Sequence, residues 1–117
     1  MLERIVKNDA NTEVKSTDEK GPGGACHNYE IACNRDSIGT CATVRFQRGP
    51  IQEVGVNGCT QEDHLEIVID RLRCFQEGEF RCRENALALT NAEQALLWLK
   101  RRTENRRARG VEGRNVQ

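Results

Sequence analysis

The chain is 117 residues long, with 37% apolar and 4% aromatic residues and 18 Lys/Arg balanced by 18 Asp/Glu. The apolar share falls below the roughly 45–50% of an ordinary globular domain, and one small domain of this length buries about two-thirds of its unfolded surface. A thin core and self-association are expected, and the absence of any run near 18 apolar residues excludes a membrane-spanning helix.

The chain begins MLERIVKNDANTEVK, which lacks an apolar stretch followed by a small-residue cleavage site, so no secretory signal is expected. The expected location is the cytosol. Residues 1–7 are compatible with a short strand. Residues 9–24, DANTEVKSTDEKGPGG, are polar and end in a Gly-Pro-Gly-Gly cluster, which reads as a flexible arm. Residues 1–24 are thus expected to be a strand and arm, and 25–117 one domain.

From Cys26 to Cys59 the apolar period is about two. HNYEIAC alternates, TCATVRFQ is rich in β-branched and aromatic residues, and PIQEVGV follows the turn at Arg48-Gly49-Pro50. Three short antiparallel strands are expected, at about 27–33, 40–47 and 51–56, closed by Asn57-Gly58.

The period then becomes helical. Thr60 is an N-cap with Asp63 placed to complete a capping box. Leu65, Val68, Ile69, Leu72 and Phe75 keep helical spacing, which predicts a helix over about 61–76 that Gly78 stops. A second helix resumes near Arg81 and runs to Gly110, with Thr90-Asn91-Ala92-Glu93 marking a kink or restart. The short connection makes the pair an antiparallel hairpin, followed by a basic tail over 111–117. The fold class is therefore α+β: strands over 25–59, then a helical hairpin over 60–110.

Charge is not spread evenly. Residues 100–117 carry seven Lys/Arg against Glu104 and Glu112, a local net of +5, while residues 1–99 carry −5. Arg102, Arg106 and Arg109 recur at i, i+4, i+7 and form one ridge on a helix. Arginine forks suit phosphate better than a point ammonium does. Complementation of the helix dipole accounts for two or three of these cations, which leaves a phosphate-bearing partner to account for the ridge.

The six cysteines include no C-x-x-C pair, and His27 and His64 are isolated, so no metal site and no redox motif is expected. Most of the thiols read as small core hydrophobes. No nucleophile–base pair and no Gly-rich phosphate loop is present, and Glu62-Asp63 complements a helix N-terminus. No catalytic residue and no cofactor is therefore assigned. Binding is better supplied: Phe75 and Phe80 flank the hairpin turn, and Asn85 lies where the second helix starts. An aromatic face with an amide that donates and accepts can hold a nucleobase. Core packing is the competing role for Phe75, and an amphipathic helix flank for Trp98.

FQRGPIQEVGVNG (46–58), IVIDRLRCFQEGEFRCRENALAL (67–89) and LLWLKRRTENRRARGVEG (96–113) together resemble the Thoeris anti-defence 1 family of bacteriophage proteins. The hairpin is also similar to phage anti-CBASS cyclic-oligonucleotide sponges. The resemblance implies a non-catalytic sponge in the host bacterial cytosol, which sequesters cyclic ADP-ribose isomers and in some members CBASS cyclic di- or trinucleotides. It also implies dimers that assemble into hexamers. Through the F-Q-x-G motif it puts Phe75 at the base-stacking position, and through R-E-N-A it puts Asn85 at the polar contact. Arg102, Arg106 and Arg109 take phosphate-facing positions through R-T-x-x-R-x-x-R-G-V-E-G. The rival reading is a small nucleic-acid-binding phage regulator using the basic C-terminal helix. The zero net charge and a pI near 6.7 argue against it, since such domains usually exceed about 9.

Overall fold

A computed structural model describes residues 3–35 and 39–109. They fall into two compact units, one ending at Cys59 and the other starting at Thr60. The class is α+β, as the residue pattern predicts, but the strand count and several boundaries differ.

The first unit is a four-stranded antiparallel meander: β1 (Arg4–Asn8), β2 (Thr12–Ser16), β3 (Asn28–Cys33) and β4 (Thr40–Arg45), in the order β1-β2-β3-β4. Asp9 makes the first turn, its Oδ1 accepting from the amides of Asn11 (2.8 Å) and Thr12 (2.9 Å), the side-chain turn that Asp favours. β2 replaces much of the irregular arm expected over 9–24. The reason is tertiary. TEVKS is polar, but its backbone pairs on both sides, Val14 with Lys7 of β1 and with Ile31 of β3, so ladder formation outweighs composition. A 3-10 turn at Pro22–Gly24 then leads back to β3.

Asp18 anchors this return. Its carboxylate accepts from the amides of His27 (3.1 Å) and Asn28 (3.1 Å) and from Arg48 Nη1 (2.8 Å). Burial pushes its pKa up, but the two amides and the Arg48 guanidinium outweigh that and hold the carboxyl below its usual value. Tyr29 and Phe46 meet edge to face at 5.8 Å beside this network.

The third strand expected at 51–56 is a helix instead, α1 (Ile51–Val54). Two amide side chains hold the segment that contains it. Asn57 donates to and accepts from the Arg48 backbone at 2.8 Å each, and Gln47 reaches the carbonyls of Gly49 (3.1 Å) and Gly55 (2.8 Å). Gly55 has φ +77°, a left-handed turn that ends a one-turn helix and that alternating hydrophobicity does not report. At Gly58 a Cβ would lie 2.5 Å from the Phe46 carbonyl group, so backbone proximity admits only glycine there.

The second unit is the helical hairpin, α2 (Gln61–Glu77) and α3 (Arg83–Ala108). The capping box is present: Asp63 N donates to Thr60 Oγ1 (3.2 Å), and Thr60 N to Asp63 Oδ2 (2.9 Å). Arg73 pairs with Glu93 at 2.8 Å, and Thr103 Oγ1 donates to Glu62 at 3.5 Å, which fixes the antiparallel register. No kink occurs near residue 90; α3 is one helix of 26 residues. Thr90 and Asn91 are exposed in mid-helix, where flanking Ala and Leu carry the helix through. Gly110 and the basic tail lie outside the described residues.

The core is thin. Among the described residues the buried apolar side chains are Cys26, Ile69 and Leu96, whereas Leu87, Leu97 and Trp98 are 47–61% exposed. Leu87 and Leu96 are nine positions apart and so face opposite sides of α3. The expectation that most cysteines pack as core hydrophobes is not met. Cys26 is buried, but Cys41, Cys74 and Cys82 are exposed, because they sit on a sheet edge, a helix surface and a helix cap.

A depressed folded-state pKa adds stability above the ordinary Asp value of about 3.9, and that stability is lost as pH falls through the folded value. Asp18→Asn is thus expected to lower the urea midpoint at about pH 7 and to flatten its dependence on pH below about 4. Equal acid sensitivity of the variant and the native chain, measured by urea titration at both pH values, would contradict this role.

Candidate functional site

Two clusters of binding-type side chains sit at opposite ends of α3. The first surrounds the hairpin turn. Phe75, half-buried on the last turn of α2, meets Phe80 edge to face with centroids 6.4 Å apart. The Arg71 guanidinium lies 5.2 Å from the Phe75 centroid, within cation–π range. Phe80 itself is 74% exposed, so an aromatic surface is open at the tip.

Asn85 is brought to the same tip. Cys82 is the N-cap of α3, its sulfur accepting from the Asn85 amide at 3.4 Å, and Asn85 Nδ2 donates to the Phe80 carbonyl at 3.2 Å. That bond explains an asparagine on the first helical turn: it ties the connecting turn to the helix. Its Oδ1 accepts no hydrogen bond among the described residues, and Gln76 Oε1 accepts from the Cys82 amide at 3.0 Å. Phe75 and Asn85 thus share one neighbour, Phe80, the first meeting its ring and the second its backbone carbonyl.

The second cluster is the arginine ridge. Trp98, Arg101, Arg102, Asn105, Arg106 and Arg109 line an open concavity of about 710 Å³. Arg101 stacks over Trp98 at 5.3 Å. Arg102 and Arg109 are exposed and Arg106 is half-buried; among the described residues Arg102 and Arg109 have no ion-pair partner. Because Thr103 is level with Glu62, Arg106 and Arg109 stand on the turn of α3 that extends past the start of α2.

The two clusters do not meet within one chain. Seventeen residues separate Asn85 from Arg102, about 26 Å along a helix at 1.5 Å per residue. The residue pattern pointed to both clusters but not to the aromatic–guanidinium stacks, although Arg71–Phe75 and Trp98–Arg101 have the i, i+4 and i, i+3 spacing that allows them.

As for chemistry, no group of three or more His, Cys, Asp or Glu side chains converges among the described residues. The His27 side chain is buried and its Nδ1 has no hydrogen-bond partner. No helix is long and apolar enough to cross a membrane among the described residues.

Comparison with known proteins places these features in a family. Residues 42–104 match the family model described as Acb2/Tad1, hairpin domain. That stretch includes Phe75, Asn85 and Arg102 and stops short of Arg106 and Arg109. The chain is also 54% identical over 93 residues to a protein named Thoeris anti-defense 1 from Bacillus phage SBSphiJ7; the alignment covers 80% of this chain and 63% of the relative. The hairpin with its short turn, the strands before it and the matched sequence together make this chain a member of the Acb2/Tad1 hairpin-domain family.

Proposed function

We propose that this protein is a non-catalytic anti-defence sponge, which binds cyclic nucleotide immune signals and holds them away from the effectors they activate. The ligands are cyclic ADP-ribose isomers and, at the same or a second site, CBASS cyclic di- or trinucleotides. The observation that carries the reading is the paired recognition chemistry at the two ends of α3, an aromatic surface with an amide at the hairpin turn and the exposed Arg102 and Arg109, beside half-buried Arg106, at the other end. A nucleobase needs the first and a phosphate the second. The likeness to a phage protein named for anti-defence supports it.

The mechanism is mass action. Phe75 stacks the base and Asn85 reads its edge, while Arg102, Arg106 and Arg109 surround phosphate. Since about 26 Å of helix separates the groups, one chain does not close both on a compact ring. A second copy supplies the other half, and assembly also covers the apolar residues exposed on α3. A dimer, extended to a hexamer, therefore presents several sites per particle. The protein works in the host cytosol during infection, without cofactor or turnover. A nanomolar constant, about −12 kcal/mol, is sufficient for sequestration.

The exposed arginines also favour a second reading, in which the basic helix of a small phage regulator lies on nucleic acid. Salt separates the two. Affinity for a duplex falls steeply with salt through counterion release, and affinity for an enclosed cyclic nucleotide falls much less.

Phe75→Ala combined with Asn85→Ala is expected to lose about 1–3 kcal/mol of stacking and about 1 kcal/mol of amide contact, a weakening of about a hundredfold for a cyclic ADP-ribose isomer. Arg102→Ala is expected to lose about 1.5–3 kcal/mol, with the larger effect on cyclic trinucleotides. Calorimetry on variants with native circular dichroism measures both, and unchanged affinity moves the site elsewhere. Ligand released by heating should be chemically intact; a cleaved product makes the protein an enzyme. For assembly, light scattering is expected to return a multiple of 13.2 kDa, and a mass near that of one chain contradicts the shared site.

A further inference from the structure

The β3–β4 end of the sheet carries a pair of thiols. Cys33 is the last residue of β3 and Cys41 the second residue of β4, and their sulfur atoms lie 2.8 Å apart. A sheet irregularity creates this proximity. Ala32 pairs with Thr40 but Ile31 pairs with Ala42, so Cys41 is the extra residue of a bulge. Had the register of the pairs from Asn28 to Ile31 continued unbroken, Cys41 would oppose Ala32 and so face the other side of the sheet from Cys33. The bulge swings it toward Cys33 instead.

The surrounding backbone is held in place. The Cys33 amide donates to the Gly39 carbonyl at 2.8 Å. On the other side the Asn34 amide donates to the Asn11 carbonyl at 2.8 Å, and Asn34 Nδ2 reaches Asn8 Oδ1 at 2.7 Å. The backbone at Cys33 and Asn34 is thus hydrogen-bonded on both sides of the thiol pair. Cys41 is exposed and Cys33 half-buried, so a small oxidant has access. The other cysteines differ: Cys26 is buried, the Cys59 thiol donates to the Arg45 carbonyl at 3.1 Å, and the Cys82 sulfur caps α3.

We propose that Cys33 and Cys41 are a reversible dithiol–disulfide site, closed by a disulfide oxidant such as oxidised glutathione. The Cys41 thiolate attacks one glutathione sulfur, forming a mixed disulfide and releasing one glutathione thiolate. The Cys33 thiolate then attacks the Cys41 sulfur and expels the second glutathione. One oxidised glutathione is reduced to two thiols, the two protein thiols become one disulfide, and their protons go to the released thiolates. The bridge closes a nine-residue segment, from Cys33 to Cys41. In a reducing cytosol the pair stays as thiols, so the site registers a shift to oxidising conditions.

The test uses the full chain, folded, with oxidised glutathione, acid quenching and non-reducing peptide mapping. The expected product links Cys33 to Cys41, loses two hydrogens and carries no glutathione, and alkylatable thiols fall from six to four. Cys33→Ser is expected to trap glutathione on Cys41, which shows the intermediate. Unfolding the chain in urea is expected to reduce the selectivity for this pair about tenfold, because the bulge that aligns the sulfurs is then gone. Persistent glutathione on both native cysteines, a bridge between other cysteines, or equal selectivity in urea would overturn the proposal.

Discussion

An α-helix holds its ends apart at a fixed distance, and in this chain one helix separates the two sets of candidate binding groups, with Asn85 beside the aromatic tip at its start and the arginine ridge at its end. α3 runs unbroken from Arg83 to Ala108, and Asn85 and Arg102 sit about 26 Å apart on it. No side-chain rotation removes that separation. The aromatic tip and the arginine ridge are therefore held too far apart for one compact ligand to touch both within one chain, which is why the proposed pocket draws on two copies. The same rod has apolar residues on opposite faces, with Leu96 buried against α2 and Leu87 and Trp98 exposed. In the proposed assembly a second chain completes both the core and the site.

The tip is built for geometry more than for stability. Cys82 caps the helix through sulfur, a weaker acceptor than the oxygen of Ser, Thr or Asp, and Gln76 and Asn85 add side-chain bonds to the turn. These bonds fix the Phe80 backbone and leave its ring outward, beside the edge of Phe75. Asn85 thereby has a local structural duty as well as its proposed one. Its amide nitrogen serves the turn, and its oxygen is the atom left for the proposed contact with a base edge.

Much of this was legible from residue order. The capping box at Thr60 and Asp63 and the period of Leu65, Ile69 and Leu72 specify α2 locally, since cap and stripe agree. β3 and β4 follow from alternation in NYEIAC and TCATVR. The misread segments depend on distant partners. TEVKS becomes a strand because β1 and β3 flank it, and IQEV becomes a helical turn because Gln47 and Asn57 hold the chain around it. The capping-like motif at Thr90 fails for the opposite reason, since strong helix formers on both sides carry the helix through. For the site, residue types were legible but the distance between them was not, because it requires that α3 be unbroken.

Mixing two defective chains tests this account most directly. Phe75→Ala/Asn85→Ala chains lack the aromatic half-site, and Arg102→Ala/Arg106→Ala chains lack the basic one. If each pocket draws on two copies, neither parent binds a cyclic ADP-ribose isomer tightly, yet oligomers reassembled from an equal mixture recover native affinity in a fraction of sites. Calorimetric stoichiometry on the reassembled mixture measures that fraction. Mixed oligomers of native mass that bind no better than either parent would contradict a shared pocket.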